Sequence, residues 1–180
     1  MGKVYFKVVK VRVEDGDFDF CGVSEPGFEI SYLSVGDWIY PKIEGTPLFV
    51  FDSYEAACNF VNWDYETILV VEGELWEIEE SLFNFADGDR RTMCLGGVFV
   101  VDDETIKRWW LNPRFEFRDG FFRWVEDRNV QVNASAFGTV LVKRLRILGV
   151  VKDDKNLKVF GEDCQEFLKE FNVIDFRLGV

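Results

Sequence analysis

The sequence predicts an α+β fold: one domain over residues 1–180, with about eight mostly antiparallel strands and two or three short helices on the sheet. Strand patterns recur along the chain, most clearly in residues 3–13, 114–125 and 139–151. Helical patterns are few and short. An apolar strand, a short helix and a second apolar strand follow one another in residues 47–75, which we take as the centre of the core.

The central segment has the clearest helix start in the chain. Asp52 is predicted to cap the helix, and Glu55, three residues later, can reach back to the cap N–H. An apolar stripe at helical spacing follows, made by Ala56, Ala57, Phe60 and Val61. Residues 67–71 are all apolar or β-branched, which predicts a strand buried on both faces.

The first strand is predicted from alternation in residues 3–13, where valines and aromatics separate lysines and an arginine. The alternation changes phase at Val8 and Val9, which predicts a bulge or a bend in one long strand. Residues 28–34 alternate in the same way and predict a second strand.

A hairpin is the best local prediction in the second half. Asp119-Gly120 separates two alternating segments and indicates a two-residue type I′ turn. The register then places 118 opposite 121, 117 opposite 122, 116 opposite 123 and 115 opposite 124. Aromatic side chains form one face of this hairpin, and Glu116 meets Arg123 on the other.

The remaining elements of the second half are predicted from capping residues and periodicity. They are, in order, a strand at residues 92–101 with Gly96-Gly97 marking a bulge or close approach, a helix from its cap Asp102 through Trp110, a polar loop at residues 129–137, a strand at residues 139–151, a helix over Glu162–Phe171 and a final strand at residues 173–178.

Several chemistries are excluded by composition. The chain has no His, which removes the commonest general base and metal ligand and excludes Ser-His-Asp and Cys-His catalysis within it. Walker A and Gly-x-Gly-x-x-Gly motifs are absent. The four cysteines (Cys21, Cys58, Cys94 and Cys164) form no Cys-x-x-Cys pair, and Cys58 and Cys164 fall on predicted apolar helix faces. We therefore predict no catalytic residue, metal site or cofactor.

The predicted location is the cytoplasm. No apolar run reaches the 18 residues of a membrane span, so no membrane association is expected. The first residues carry scattered lysines in place of the apolar core of a signal peptide. An intracellular protein of this kind is expected to keep its cysteines reduced.

The charge is unevenly distributed. Residues 1–12 carry four basic and no acidic side chains, residues 13–89 carry 19 acidic and one basic, and residues 90–180 carry 14 acidic and 16 basic, for a net charge of −12. An acidic face would repel nucleic acid and attract a basic protein surface. The same charge also suits a solvated surface that aids solubility.

One tyrosine, four glutamates and two arginines are the candidate binding residues: Tyr40, Glu72, Glu74, Glu77, Glu79, Arg90 and Arg91. Glu72 and Glu74 share one strand face, whereas Glu77 and Glu79 have the opposite parity, so the strand is predicted to turn or end near Trp76. Carboxylates this dense can hold Mg²⁺ or Ca²⁺, work as an acid–base pair, or form a solvated strand edge.

Arg90 and Arg91 follow Ala86-Asp87-Gly88-Asp89 in a predicted loop. Two adjacent guanidinium groups can clamp an anion. They can equally pair with the acids beside them, and both interpretations stay open.

Two segments carry a resemblance: Tyr32-x-x-x-Gly36-x-x-x-Tyr40-Pro41 and Pro47-Leu48-Phe49-Val50-Phe51-Asp52-Ser53-x-Glu55-Ala56-Ala57. With the later Gly138-Thr139-Val140 and Leu145, they resemble small uncharacterised proteins of phages, archaeal viruses and prokaryotes. The resemblance covers about half of the chain and implies structure but no activity. More distantly, the element order is similar to ADP-ribosyltransferase-like folds, which implies an enzyme using Glu72 or Glu74, with Arg12 or Arg90 holding phosphate.

Two functions follow. The first is a non-catalytic acidic binding protein, encoded by a virus or mobile element, whose acidic half contacts a basic protein surface. The alternative is an ADP-ribosyltransferase-like enzyme or an NAD- or nucleotide-binding protein. The lack of His, of a phosphate motif and of a basic field favours the first. It requires the carboxylates of the first half to gather on one exterior face.

Overall fold

The computed structural model describes residues 3–14, 17–22, 32, 35–62, 66–85, 88–95, 102–151, 169 and 171–174. The strands are β1 (Lys3–Glu14), β2 (Asp17–Gly22), β3 (Trp38–Ile39), β4 (Leu48–Phe51), β5 (Glu66–Leu75), β6 (Leu82–Asn84), β7 (Arg90–Leu95), β8 (Phe115–Arg118), β9 (Phe121–Trp124), β10 (Gln131–Ala134), β11 (Thr139–Val151) and β12 (Val173–Ile174). The helices are α1 (Tyr54–Phe60) and α2 (Asp103–Leu111).

The predicted α+β class is wrong. The fold is mostly antiparallel β, with a four-strand barrel and a half-barrel, and the described part of the chain holds two helices. About eight strands are predicted, but the described residues form twelve, because strands of two to four residues are too short to show a period. The two helices have only seven and nine residues.

Four strands close the barrel. β1 pairs with β5, β5 with β11, β11 with β4, and β4 again with β1, all antiparallel. The last contact is the narrowest, with Phe6 opposite Phe51 as its one residue pair. β2 extends the sheet from β1, while β3 and β12 pair with β11. Closure pairs the backbone groups that an open sheet would leave at its edges.

β1 and β5 are buried on both faces. Their inner side chains fill the barrel, and their outer ones pack against α1; the inner set includes Tyr5, Val9, Leu69 and Val71, and the outer set includes Phe6, Val8, Ile68 and Val70. The prediction of a strand buried on both faces at residues 67–71 is confirmed. The phase change at Val8 and Val9 produces no bulge in the pairing with β5, since the register runs unbroken from Lys3 to Lys10.

The helix α1 begins one residue later than predicted. Ser53, in place of Asp52, is the N-cap, and its Oγ accepts a hydrogen bond from Ala56 N at 3.2 Å. The backbone N–H of Asp52 donates to Gly138 O at 2.9 Å. Glu55 remains in the first turn, where a negative charge suits the helix dipole.

The long strand predicted at residues 139–151 is confirmed as β11, but its faces do not alternate regularly. The register with β5 shifts between Val142 and Arg144 and again between Ile147 and Gly149. Each shift reverses the parity of the strand, so that Val142, Leu145 and Val150 all pack in the barrel interior. Arg144 therefore lies on the outer face.

A second sheet forms the half-barrel, in the strand order β6-β7-β10-β9-β8. α2 packs into it, and its core includes Met93, Trp109, Trp110, Trp124 and Val132. The barrel contributes to this core from its outer face through Phe49 and Leu141. The aromatic-rich composition of the second half thus supplies a core of its own.

Two loops predicted in this half are wrong. Residues 129–137 contain β10, in which Val132 is buried and Asn133 is exposed. Arg90 and Arg91 begin the strand β7. Each strand exposes part of its length, so polar residues are common in both segments. Their composition therefore resembles that of a loop.

The predicted hairpin is confirmed as β8 and β9. Asp119 and Gly120 have φ values of 52° and 82°, as a type I′ turn requires. The register agrees at all four pairs. Glu116 lies opposite Arg123 as predicted, but its ion pair is with Arg128, at 2.9 Å.

The helix α2 confirms its predicted cap, since Thr105 N donates to Asp102 Oδ1 at 2.7 Å. Cys58, predicted to lie on an apolar helix face, is exposed.

Residues 28–34 lie outside the described residues except for Tyr32, which is buried in the barrel. The predicted Gly96-Gly97 bulge, and most of the helix predicted over Glu162–Phe171, also lie outside them. No helix of the described residues is long and apolar enough to cross a membrane.

Candidate functional site

Three neighbouring strands carry the most organised polar surface of the described residues. β11 lies between β3 and β5, so Arg146 is opposite Trp38 on one side and Glu72 on the other. Arg144 is likewise opposite Glu74. We call this set the ladder; it consists of Trp38, Tyr40, Glu72, Glu74, Arg144 and Arg146. Its two arginines form the middle row, between aromatics and carboxylates.

Arg144 is held by three kinds of contact. Its Nε donates to Glu74 Oε2 at 2.8 Å, and its Nη1 donates to the Tyr40 hydroxyl at 3.0 Å. The guanidinium carbon lies 4.3 Å from the centroid of the Trp38 ring and 5.9 Å from that of Tyr40. Cation–π contact and charged hydrogen bonds together fix the guanidinium group in one orientation.

Arg146 pairs with the more buried carboxylate. Its Nε and Nη2 both contact Glu72 Oε2, and its guanidinium lies 5.1 Å from the Trp38 centroid. The Glu72 side chain is 11% exposed, against 44% for Glu74. Lys143 Nζ adds a second cation to Glu74, at 3.5 Å from Oε1. The ladder thus pairs each carboxylate with at least one cation.

These contacts shift two pKa values. The Arg144 hydrogen bond lowers the pKa of Glu74, with the charges of Arg144 and Lys143 acting in the same direction. The Tyr40 hydroxyl, followed by Glu74, raises the pKa of Arg144. Glu74 is therefore ionised at neutral pH and carries no proton to donate, which argues against a role as a general acid.

Three of the sequence-predicted site residues come together in the ladder: Tyr40, Glu72 and Glu74. They do not form a solvated strand edge, because β5 is flanked by β1 and β11. The strand ends at Leu75, one residue before the predicted point. Glu77 and Glu79 follow in the connection to β6, where both are exposed.

The other two predicted residues lie on the second sheet. Arg91 forms an ion pair with Asp89 at 3.5 Å and lies 5.0 Å from the centroid of the Phe85 ring. Arg90 is exposed and pairs through its backbone with Asn84. Arg91 therefore follows one of the two interpretations of the Arg90-Arg91 segment, pairing with a neighbouring acid.

Sequence reasoning missed Trp38, Arg144 and Arg146. A partial signal was present, because Arg144 and Arg146 are two residues apart on a predicted strand, the same spacing as Glu72 and Glu74. Which strands become neighbours is not written in that spacing. The link from Arg144 to Glu74 spans 70 residues of chain.

The described part of the chain offers few of the residues that a metal or phosphate site would need. No group of three or more Cys, Asp or Glu residues there could hold a metal ion. Glu72 and Glu74, the carboxylates of the enzyme alternative, are both bound to arginines. Arg90 lies on β7, and the side chain of Arg12 is not among those described.

No protein-family model, curated protein or solved structure matches this chain. Any function assigned to the site therefore rests on the geometry of the ladder and on the charges around it.

Proposed function

We propose that this protein is a non-catalytic binding module that docks a basic surface of a partner protein. The docking surface consists of Tyr40 and the acidic segment, which we define as Glu77, Glu79 and Glu80. The observation that carries the proposal is the contrast between two sets of carboxylates. Those of the ladder are paired with arginines, whereas no described Lys or Arg pairs with those of the acidic segment.

The charge of the chain favours a basic partner. Residues 13–89 carry 19 acidic side chains and one basic. Two of these acids, Glu72 and Glu74, form ion pairs with arginines of β11. The three carboxylates of the acidic segment are exposed, so their field reaches solvent. A net charge of −12 also speeds the encounter with a cationic surface, as electrostatic steering does in general.

Tyr40 supplies the apolar anchor. It is 57% exposed, and tyrosine is among the residue types that dominate binding energy at protein interfaces. Its hydroxyl accepts a hydrogen bond from Arg144, which holds the ring in place before any partner arrives. A side chain that is already ordered loses less entropy on binding.

Tyr40 lies near the start of the acidic segment. Arg144 links Tyr40 to Glu74, and Glu77 follows Glu74 by three residues. Three extended residues span at most about 10 Å. An exposed aromatic anchor with unpaired carboxylates nearby fits the pattern of a hot spot with a polar rim.

The proposal is tested by isothermal titration calorimetry with an arginine- and lysine-rich peptide. We expect binding that weakens with salt, and a loss of about tenfold or more in affinity for Glu77→Lys/Glu79→Lys. The control is Glu55→Lys/Glu104→Lys, which changes the net charge equally at exposed positions on the two helices. Equal losses in the two variants would show that the total charge, and not this surface, attracts the peptide.

The enzyme alternative predicts a different result. A thermal-shift assay with NAD⁺ is expected to leave the melting temperature of the wild type unchanged. A ligand that binds the native state must raise that temperature. A clear rise would favour a nucleotide-binding protein over the module proposed here.

A further inference from the structure

The strand β8 ends the second sheet, and β9 is its one strand neighbour among the described residues. Between two antiparallel strands, alternate residue pairs exchange backbone hydrogen bonds. Val125 N donates to Arg114 O, and the pairs at 116/123 and 118/121 have the same phase. The backbone N–H and C=O groups of Phe115 and Phe117 therefore point away from β9, toward the open edge.

The side chains along this edge are accessible. Phe117 is 68% exposed and packs its ring against Phe122, with 5.2 Å between centroids. The side chains of Glu116 and Arg118 are 38% and 54% exposed, on the opposite face of the strand. Edge strands are usually protected by a proline, a bulge or repelling charges. β8 has no proline, and its two charges have opposite signs.

The local charge also differs from that of the whole chain. Residues 114–128 contain four arginines and four acidic residues, so the segment is neutral in a chain of net charge −12. Two copies of the chain repel each other over most of their surface. At this neutral hairpin two copies repel each other less than at the acidic residues 13–89.

We propose that a second copy of this chain pairs antiparallel with β8, around a twofold axis that passes between the two Phe117 residues. An axis perpendicular to the sheet keeps equivalent faces together, so Phe117 stacks against its own copy. The two Phe117 backbones exchange a pair of hydrogen bonds. On the other face, each Glu116 lies opposite Arg118 of the second copy, which gives two cross-strand ion pairs.

Charge selects this register over the neighbouring symmetric one. A shift that centres the axis on Glu116 would place Glu116 opposite its own copy and Arg114 opposite Arg118. Like charges directly opposite each other destabilise a sheet. The sequence of β8 thus complements itself in the register centred on Phe117.

Analytical ultracentrifugation of the full chain over a wide range of concentrations tests the proposal. We expect a reversible monomer–dimer equilibrium. Glu116→Arg should weaken the dimer by about tenfold or more, because the introduced arginine would face Arg118 of the second copy. The double variant Glu116→Arg/Arg118→Glu should restore the affinity, because the opposite charges face each other again. Both variants lose the Glu116–Arg128 ion pair, and the double variant also loses the Arg118–Asp119 pair, so no ion pair within the wild-type monomer accounts for a recovery.

A second pair of variants is matched in chemistry. Phe117→Lys should abolish the dimer, because two lysines would meet at the axis. Phe121→Lys adds the same charge at a neighbouring exposed phenylalanine, but on the inner strand β9, and should leave the dimer intact. Circular dichroism confirms that each variant is folded. Hydrogen exchange at the Phe117 N–H should slow as the concentration of the wild type rises.

The proposal is overturned if the wild type is monomeric at every concentration. It is also overturned if the double charge reversal stays as weak as Glu116→Arg, or if Phe117→Lys and Phe121→Lys behave alike. Capture of an extended peptide by a monomeric wild type would give the edge to another partner, and would equally overturn pairing between copies.

Discussion

Gly138 occupies a position that no other residue fits without strain. Its φ is +76°, and a Cβ there would lie 2.5 Å from Ala56 Cβ and 2.9 Å from Asp52 Oδ1. Its carbonyl accepts the Asp52 N–H at 2.9 Å. The segment around Asp52 and the segment around Gly138 are thus in direct contact.

Gly138→Ala is predicted to destabilise the protein by about 2–4 kcal/mol, from the positive φ and from overpacking against Ala56. The control is Gly45→Ala, at a φ of +79° with nothing within 4 Å of the new Cβ. It should cost about 1–2 kcal/mol, from the backbone conformation alone. Urea denaturation measures both. Equal losses would mean that the contact with Ala56 relaxes at no cost.

Lys7 is a buried lysine of the barrel strand β1. Its side chain lies on the inner face of β1 with Tyr5 and Val9, and 4% of the residue is exposed. Its Nζ donates to Phe49 O at 2.8 Å. Phe49 lies on β4, so the lysine supplies a hydrogen bond between β1 and β4, whose pairing is the narrowest in the barrel.

At the scale of elements, the ladder joins three strands that are distant in sequence. Arg144 and Arg146 are equivalent in chemistry but not in surroundings. The partner of Arg146 is Glu72, which is nearly buried, whereas the partner of Arg144 is Glu74, which is well exposed. An ion pair contributes more when loss of one partner leaves a buried charge behind.

Arg146→Met is therefore predicted to lower the free energy of unfolding by about 1–3 kcal/mol. Arg144→Met should have a smaller effect, because solvent can replace the arginine at Glu74. Both variants keep an apolar stem over Trp38 and remove one positive charge. Chemical denaturation at one salt concentration compares them directly. A larger loss for Arg144→Met would mean that its contacts with Trp38 and Tyr40, and not burial of the carboxylate, dominate.

At the scale of the whole molecule, three carboxylates within the described part of the chain stabilise the fold in their charged form. Hydrogen bonding lowers the pKa of each: from Arg144 for Glu74, from the Thr105 backbone for Asp102, and from Asn112 for Glu126. A lowered pKa in the folded state adds stability that is fully present above the ordinary pKa, here 4.5 for Glu and 3.8 for Asp. That stability is lost as the pH falls through the lowered values.

With salt present to screen the net charge, the free energy of unfolding should be nearly constant from about pH 8 to 6, since no His titrates there. It should fall as the pH drops below the ordinary carboxylate values. The variant Glu74→Gln/Glu126→Gln should show a shallower fall, because it has lost two of the three groups. Denaturation at a series of pH values measures both curves. A change in stability between pH 6 and 7 would contradict this account.

The sequence by itself determined the elements whose hydrogen bonds are local. The β8–β9 hairpin follows from Asp119-Gly120, and the start of α2 follows from Asp102, because each contact joins residues a few positions apart. The sequence also determined that residues 67–71 are buried on both faces.

Only the tertiary structure decided which strands became neighbours. Barrel closure, the bulges of β11 and the ladder all depend on pairings such as Arg144 with Glu74, 70 residues apart. The structure also places the cap of α1 at Ser53, one residue after the predicted Asp52. Such pairings are chosen by the packing of the whole core, and a strand's own period of two does not record its partner.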